Sequence, residues 1–228
     1  MIDVLIWGIT IGCIYILLAA GLNLIFGVMK LVNFAHGELL MIGAYVCYWT
    51  SNLLHLNPYV AVFASMAVVP LVGIAVERFC FRPVLGTTKL NEIFVSLGLI
   101  YIIEHAAILL WDDDPRRTKS PFEKMTMPLG TVSIRYDLVI AMLVVIGILI
   151  AFFVLLQKTK VGRAMRATSQ SREAAMLMGI NVNRIYTVSF ALGAALAGAA
   201  GALYGILYSF DPYMGAMPSI KAFAIVML

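Results

Sequence analysis

Six apolar runs, each about long enough to cross a lipid bilayer as a helix, constrain this chain more than any other feature. They cover residues 4–28, 36–54, 59–81, 93–111, 137–157 and 186–208. A membrane-spanning helix needs about 20 mostly apolar residues. Hydrophobic residues make up 62% of the 228 positions and charged residues only 12%, against about 45–50% and 25% in soluble domains. The sequence therefore predicts an all-α fold, a polytopic transmembrane helix bundle forming one domain over residues 1–228.

A strongly basic segment, residues 158–185, separates the last two apolar runs. Six cations face the single anion Glu173, so its net charge of +5 exceeds the +4 of the whole chain. Basic loops between membrane spans stay in the cytoplasm. Alternation then places residues 112–136 and the N-terminus outside, and the loops at 30–35 and 82–92 inside. The high pI, near 9.0, is explained by these cytoplasmic cations and does not indicate nucleic-acid binding.

The centre of the basic segment has the signals of a short helix. Ser171 is a suitable N-cap, Glu173 complements the positive helix start, and Gly179 stands where a helix would end. Between them Ala174, Leu177 and Met178 form one apolar face. A two-turn helix does not persist alone in water, so it needs a partner surface. Lipid headgroups and another protein both meet that need.

A second polar segment, residues 32–38, interrupts the apolar sequence between the first two runs. Asn33, His36 and Glu38 are costly at membrane depth but not at the interface. The segment is therefore either an interfacial turn or a broken helix beside a transport pathway. In the second case Gly37 permits the break, and Glu38 or His36 meets water or substrate. The pattern alone leaves both interpretations open.

Small residues form a stripe along the last apolar run. Gly193, Ala197, Gly201 and Gly205 recur every four residues, which lets another helix approach closely. The stripe predicts tight packing within a bundle or across a subunit interface. Glu104, by contrast, is near the end of its run and is expected at the membrane interface.

Several motifs are absent from the sequence. The three cysteines are isolated in apolar runs, which indicates no metal site. There is no phosphate-binding GxxxxGK[ST] loop and no HExxH or GxSxG motif. We therefore expect no enzyme activity, no metal and no cofactor in this chain. Residues 220–228 are apolar but too few to cross a bilayer, which predicts a C-terminally truncated bundle.

Four motifs resemble those of the high-affinity branched-chain amino-acid ABC importer permeases. They are VNFAHGELLMIGAY at 32–45, ERFCFRPV at 77–84, VGRAMRATSQSREAAMLMGINVNRI at 161–185 and DPYMGAMPSIKAF at 211–223. The resemblance extends along essentially the whole chain. It implies a permease subunit in the bacterial cytoplasmic (inner) membrane that translocates Leu, Ile or Val.

The resemblance also implies partners and candidate site residues. The partners are a second, related permease forming a heterodimer, two cytoplasmic subunits that bind ATP, and a periplasmic or lipid-anchored substrate-binding protein. The expected substrate pathway includes Asn33, Phe34, His36, Gly37 and Glu38. Residues 163–179 match the loop that couples the permease to the ATPases. The candidate coupling residues are Gly162, Arg163, Ala164, Arg166, Ala167, Glu173, Ala174, Leu177, Gly179 and Ile180.

Two other functions remain compatible with the sequence. One is import of urea or short amides by a permease of the same group. The other is an ion-coupled secondary transporter, suggested by the ionisable residues Glu38, Glu104 and His105 within or near apolar runs.

Overall fold

The computed structural model describes residues 2–123, 125–129 and 132–227. Within these ranges the chain forms nine α-helices and one short antiparallel hairpin of strands β1 (Thr126–Leu129) and β2 (Val132–Arg135). The helices are α1 (Ile2–Met29), α2 (His36–Leu54), α3 (Pro58–Val76), α4 (Lys89–Trp111), α5 (Tyr136–Lys158), α6 (Lys160–Gln170), α7 (Arg172–Leu177), α8 (Val182–Leu207) and α9 (Ala216–Met227).

Five of the described helices are long and apolar enough to cross a membrane. They are α1, α3 together with its continuation to Val84, α4, α5 and α8. Each agrees with a predicted apolar run to within about one helical turn. The prediction of an all-α, polytopic membrane protein is confirmed.

The sixth predicted span requires a correction. Residues 36–54 form α2 with the predicted bounds, but α2 is not among the five helices apolar enough to cross. Its first half is buried against protein, chiefly against α3 and α8. A helix that neighbouring helices shield from lipid can carry polar residues that a lipid-exposed helix could not. Hydropathy alone therefore cannot decide whether α2 lies within the membrane.

Helix α8 lies at the centre of the bundle. Of its most apolar stretch 83% is buried, against 22% for α4 and for α5. The cause is its small residues, which let backbones touch. A Cβ atom at Gly193 would lie 2.8 Å from the carbonyl oxygen of Gly21 in α1, and one at Gly201 would lie 1.8 Å from that of Leu40 in α2. The stripe therefore packs α8 against helices of its own chain.

The loops and helix ends sort onto two sides of the bundle. On one side Lys89 Nζ donates to the carbonyl of Lys30 at 2.7 Å, and Arg82 donates to Thr187 Oγ1 at 2.6 Å. On the other side the backbones of Arg116 and Phe210 exchange two hydrogen bonds of 2.8 Å. These contacts place the ends of α1 and α3 beside the starts of α4 and α8 on one side, and the segments that follow α4 and α8 together on the other. The basic segment 158–185 lies on the first side, which we call the basic face.

Gly201→Ala tests the central packing. The added methyl group meets the Leu40 carbonyl, so α2 or α8 must shift, at a cost of about 1–3 kcal/mol of folding free energy. We expect a lower thermal unfolding midpoint for the purified protein in detergent. Gly147→Ala in α5 is the matched control, because nothing lies within 4 Å of its Cβ position. An unchanged midpoint for Gly201→Ala would contradict this packing.

Candidate functional site

The chain turns back into the bundle between α1 and α2. Helix α1 ends at Met29, yet His36, where α2 begins, has its Nε2 only 3.1 Å from the Cβ position of Gly21. Gly21 lies eight residues before Met29, which is about 12 Å along the helix. Residues 30–35 therefore carry the chain back to the middle of the bundle. Residues 32–38 could be an interfacial turn or a broken helix. The structure shows a helix that begins inside the bundle, as in the second interpretation.

Helix α9 begins beside the start of α2. A Cβ atom at Gly37 would lie 2.1 Å from the carbonyl oxygen of Gly215. The Gly37 N–H donates to Ser219 Oγ at 2.8 Å, and that hydroxyl donates to the Phe34 carbonyl at 3.2 Å. The Phe34 ring packs against Phe223, with centroids 4.7 Å apart. Two helix N-termini thus meet at mid-depth. We call residues 33–38 and 215–219 the central junction.

Local sequence explains the shape of the central junction. Asn33 Oδ1 accepts a hydrogen bond from the Ala35 N–H at 3.0 Å, which forms the tight Asx turn that precedes α2. Gly37 and Gly215 lack side chains at the point where the two backbones approach. A Cβ atom at Gly37 would meet the Gly215 backbone, and one at Gly215 would meet the Glu38 carboxylate.

Two ionisable side chains are buried in the central junction. His36 is 1% exposed and Glu38 0%, and neither the imidazole nitrogens nor the carboxylate oxygens have a hydrogen-bond partner among the described residues. The Glu38 oxygens lie 2.5 and 2.9 Å from the Cβ position of Gly215, at the start of α9. The partial positive charge of a helix N-terminus stabilises a nearby carboxylate. The arrangement gives a water-poor site with unused hydrogen-bonding groups.

Sequence reasoning missed two parts of this region. Glu104, which is expected at the membrane interface, is only 7% exposed and packs against protein, whereas its neighbour His105 is exposed and hydrogen-bonds the Tyr101 carbonyl at 2.9 Å. The start of α9 was also missed as a partner of residues 33–38. The sequence signal for this contact was Gly215 followed by Ser219. A helix that starts just after a glycine can approach another backbone closely.

The basic segment folds into a helical hairpin of α6 and α7, which we call the basic hairpin (160–177). Thr159 Oγ1 accepts from the Gly162 N–H at 3.0 Å, and Ser171 Oγ accepts from the Ala174 N–H at 3.2 Å. Gly179 has a φ of +79°, which ends the hairpin as glycine commonly does. The predicted Ser171 cap is confirmed. Helix α6 precedes the single helix expected from the pattern.

The candidate coupling residues divide into two groups in the structure. Gly162 and Arg166 face α5. A Cβ atom at Gly162 would lie 2.1 Å from the Leu156 carbonyl, and Arg166 Nη1 donates to that carbonyl. Leu177 is 88% exposed. Arg163, Glu173, Ala174 and Gly179 are exposed too.

A groove of about 470 Å³ lies between α6 and α7. It brings together candidate coupling residues from both helices and the turn that follows them. These are Arg163, Ala164, Ala167, Ala174 and Ile180.

A helix bundle with polar residues gathered at a mid-depth meeting of helix ends is typical of membrane transport proteins. The sequence model of the family described as "Branched-chain amino acid transport system / permease component" matches residues 4–228. The chain belongs to this family, and it is a multi-pass membrane protein.

Relatives from bacteria and an archaeon support this family membership. The chain is 30% identical to the high-affinity branched-chain amino acid transport system permease protein BraD of Pseudomonas aeruginosa, over 98% of this chain and 77% of the relative. It is 28% identical to the permease protein LivH of Escherichia coli K12, over 97% and 76%. It is 29% identical to the probable branched-chain amino acid transport permease protein LivH of Methanocaldococcus jannaschii, over 92% and 68%. No solved structure matches the chain.

Proposed function

We propose that this chain is the membrane-spanning permease subunit of an ATP-binding cassette importer for branched-chain amino acids. The observation that carries the proposal is the family match over residues 4–228. BraD and LivH are named as branched-chain amino acid transport permeases. The proposed location is the bacterial cytoplasmic membrane, which fits the concentration of cations on the basic face.

The substrate is proposed to pass through the central junction. Asn33, Phe34, His36, Gly37 and Glu38 are the candidate pathway residues, and they are buried or half-buried at mid-depth. The path is closed in this conformation, because Gly37 and Gly215 are in backbone contact. Separation of α9 from α2 would open it. Support comes from the unpartnered His36 and Glu38, since buried polar groups normally have partners.

The basic hairpin is proposed to dock onto a cytoplasmic ATPase subunit. Leu177 of the hairpin is 88% exposed, and Met178, which follows it directly, is 82% exposed. Beside them is the groove between α6 and α7, rimmed by cations. Exposed apolar residues next to a groove are common at protein interfaces. ATP would be bound and hydrolysed by these separate subunits.

The helices packed between the basic hairpin and the central junction would transmit a movement of the hairpin to the junction. Arg166 ties α6 to the end of α5, and Arg172 stacks 5.7 Å from the Tyr186 ring, which ties α7 to α8. Helix α6 also borders the inner half of α1 across a groove lined by Val28 and Met165. Helix α1 leads directly into the junction. Rigid helices that move together in this way can open and close a site at depth.

The complete assembly is proposed to contain a second related permease, two ATPase subunits and a substrate-binding protein outside the membrane. The binding protein would supply most of the affinity and deliver the amino acid. The permease itself then needs only weak binding, since a tightly held substrate would leave slowly.

ATP-dependent leucine uptake tests the proposed function. The full set of subunits is reconstituted in lipid vesicles, and labelled leucine is supplied together with the binding protein. We expect uptake that requires ATP and is competed by isoleucine and valine but not by urea. Uptake that persists without ATP and follows an ion gradient would contradict the proposal, as would competition by urea alone.

Leu177→Asp tests the docking of the basic hairpin. Placing a charge at a buried interface contact should lower ATP-driven uptake on the order of tenfold or more, without a change in membrane insertion. Thr88→Asp is the matched control, because Thr88 is an exposed N-cap on the same basic face, outside the hairpin. Insertion is measured by the amount of folded protein in the membrane. Equal uptake by both variants would exclude the hairpin as the docking element.

A further inference from the structure

Five carboxylate side chains are almost completely buried in the described part of the chain: Glu38, Glu77, Glu92, Glu104 and Asp137. Three of these have a cation. Glu77 pairs with Arg82 at 2.9 Å, Glu92 pairs with Lys89 at 2.9 Å, and Asp137 pairs with Arg135. Burial of a charge is very costly without a partner of opposite charge. Three of the five buried carboxylates are thus paired with a cation, and the exceptions are Glu38 and Glu104.

Glu38 and Glu104 have no salt bridge or hydrogen bond to any described residue. Two cationic side chains of nearby segments, Lys221 and Arg116, are engaged elsewhere. Lys221 Nζ lies 5.0 Å from the ring centroid of Tyr15, and the Arg116 guanidinium lies over Tyr48 and Trp49 at 5.6 and 5.5 Å. The two exceptions therefore lack the cation that the other three buried carboxylates possess, and both oxygens of Glu38 are in addition closed off from the surface.

The two carboxylates lie on neighbouring helices at a similar depth. Helices α2 and α4 run in the same direction, and Met41 and Tyr45 share one apolar cluster with Ala107, against which Ile103 packs. Glu38 precedes Met41 by three residues, and Glu104 precedes Ala107 by three. Since residues three apart lie on the same helix face, both carboxylates fall one turn inward of this contact.

A third polar group on the same face of α2 also has no partner. Tyr45 is 0% exposed, and its hydroxyl has no hydrogen-bond partner among the described residues. It lies seven residues after Glu38, two turns along one face. Buried hydroxyl groups are normally hydrogen-bonded. Its hydroxyl is therefore a further unused hydrogen-bonding group on this face of α2.

The nearby helix N-termini do not satisfy both carboxylates. The starts of α2 and α9 meet at Gly37 and Gly215, and their partial positive charges together amount to about one elementary charge. They can offset one carboxylate, Glu38, which lies against Gly215. The second carboxylate, Glu104, has no ion pair with any described residue.

We propose that Glu38 and Glu104 together bind the primary ammonium group of the transported amino acid. This inference rests on the proposed function and deepens it, because it names the part of the substrate that the permease recognises. An ammonium group has three N–H donors and one positive charge, which matches two acceptor groups short of one cation. The contact between Gly37 and Gly215 closes this site and must open before the substrate enters.

The site should therefore select compounds that carry a primary ammonium group. Leucine and leucinamide carry a primary ammonium group, and both should bind. The anion 4-methylpentanoate has the leucine side chain without the ammonium group, and urea is uncharged, so neither should bind. A pair of carboxyl groups that merely holds α2 and α4 together would not distinguish these compounds.

A protection experiment on the assembled transporter in lipid vesicles without ATP tests the site directly. A hydrophobic carbodiimide labels buried carboxyl groups, and mass spectrometry measures the label at Glu38 and Glu104. We expect leucine and leucinamide to slow labelling at both positions, whereas 4-methylpentanoate and urea have no effect. Glu92, paired with Lys89, is the internal control and should react at the same rate throughout. In Glu104→Gln, protection of Glu38 should require on the order of tenfold more leucine.

A thermal measurement covers the case in which the reagent does not reach these groups. Leucine and leucinamide should raise the unfolding midpoint of the wild-type assembly, and the rise should be lost in Glu104→Gln and retained in Glu104→Asp. Equal effects of 4-methylpentanoate, or no effect of any compound at concentrations that saturate uptake, would overturn the proposal. Protection by leucinamide without any leucine uptake would overturn the proposed function and leave the ammonium site standing. Normal leucine uptake without protection of Glu38 and Glu104 would overturn the ammonium site and leave the proposed function standing.

Discussion

The close approach of α8 to its neighbours is the constraint on which the rest of the structure depends. At Gly193 and Gly201 the α8 backbone touches those of α1 and α2. Van der Waals contact of this kind drives helix association in lipid, where the hydrophobic effect offers little. Because α8 fills the centre, the first half of α2 is surrounded by protein. Only such shielding lets α2 carry His36 and Glu38 at depth.

The central junction follows from that shielding. Residues 30–35 return into the bundle, and α9 starts at the same depth from the opposite direction. Their meeting point is held by Ser219, which hydrogen-bonds both Gly37 and Phe34. Irregular backbone within a membrane is tolerated only where protein or a water-filled cavity surrounds it. One small set of hydrogen bonds thus links two discontinuous helices, while rigid helices lead from them to the basic face.

Much of the architecture could be predicted from the sequence because it depends on local properties. The lengths of the apolar runs predict six spans, five of which are helices apolar enough to cross a membrane, and Ser171 and Gly179 mark the ends of α7. The depth at which α2 begins could not be predicted, because hydropathy measures polarity and not the neighbours that shield it. The burial of Glu104 could not be predicted for the same reason. Its burial depends on the packing of α4 against α2, which no pattern within α4 encodes.

Chemical cross-linking at the central junction tests this account most directly. Cys13, Cys47 and Cys80 are replaced first, and Phe34→Cys is then combined with Phe223→Cys, since these rings are 4.7 Å apart. A short thiol-specific cross-linker such as dibromobimane should join the pair in high yield in membranes, whereas Phe34→Cys with Ser209→Cys, beyond the far end of α8, should not react. The cross-linked protein should also lose transport, because α9 can no longer separate from α2. Failure of the first pair to cross-link, or equal yields for both pairs, would contradict a meeting of these helix starts at mid-depth.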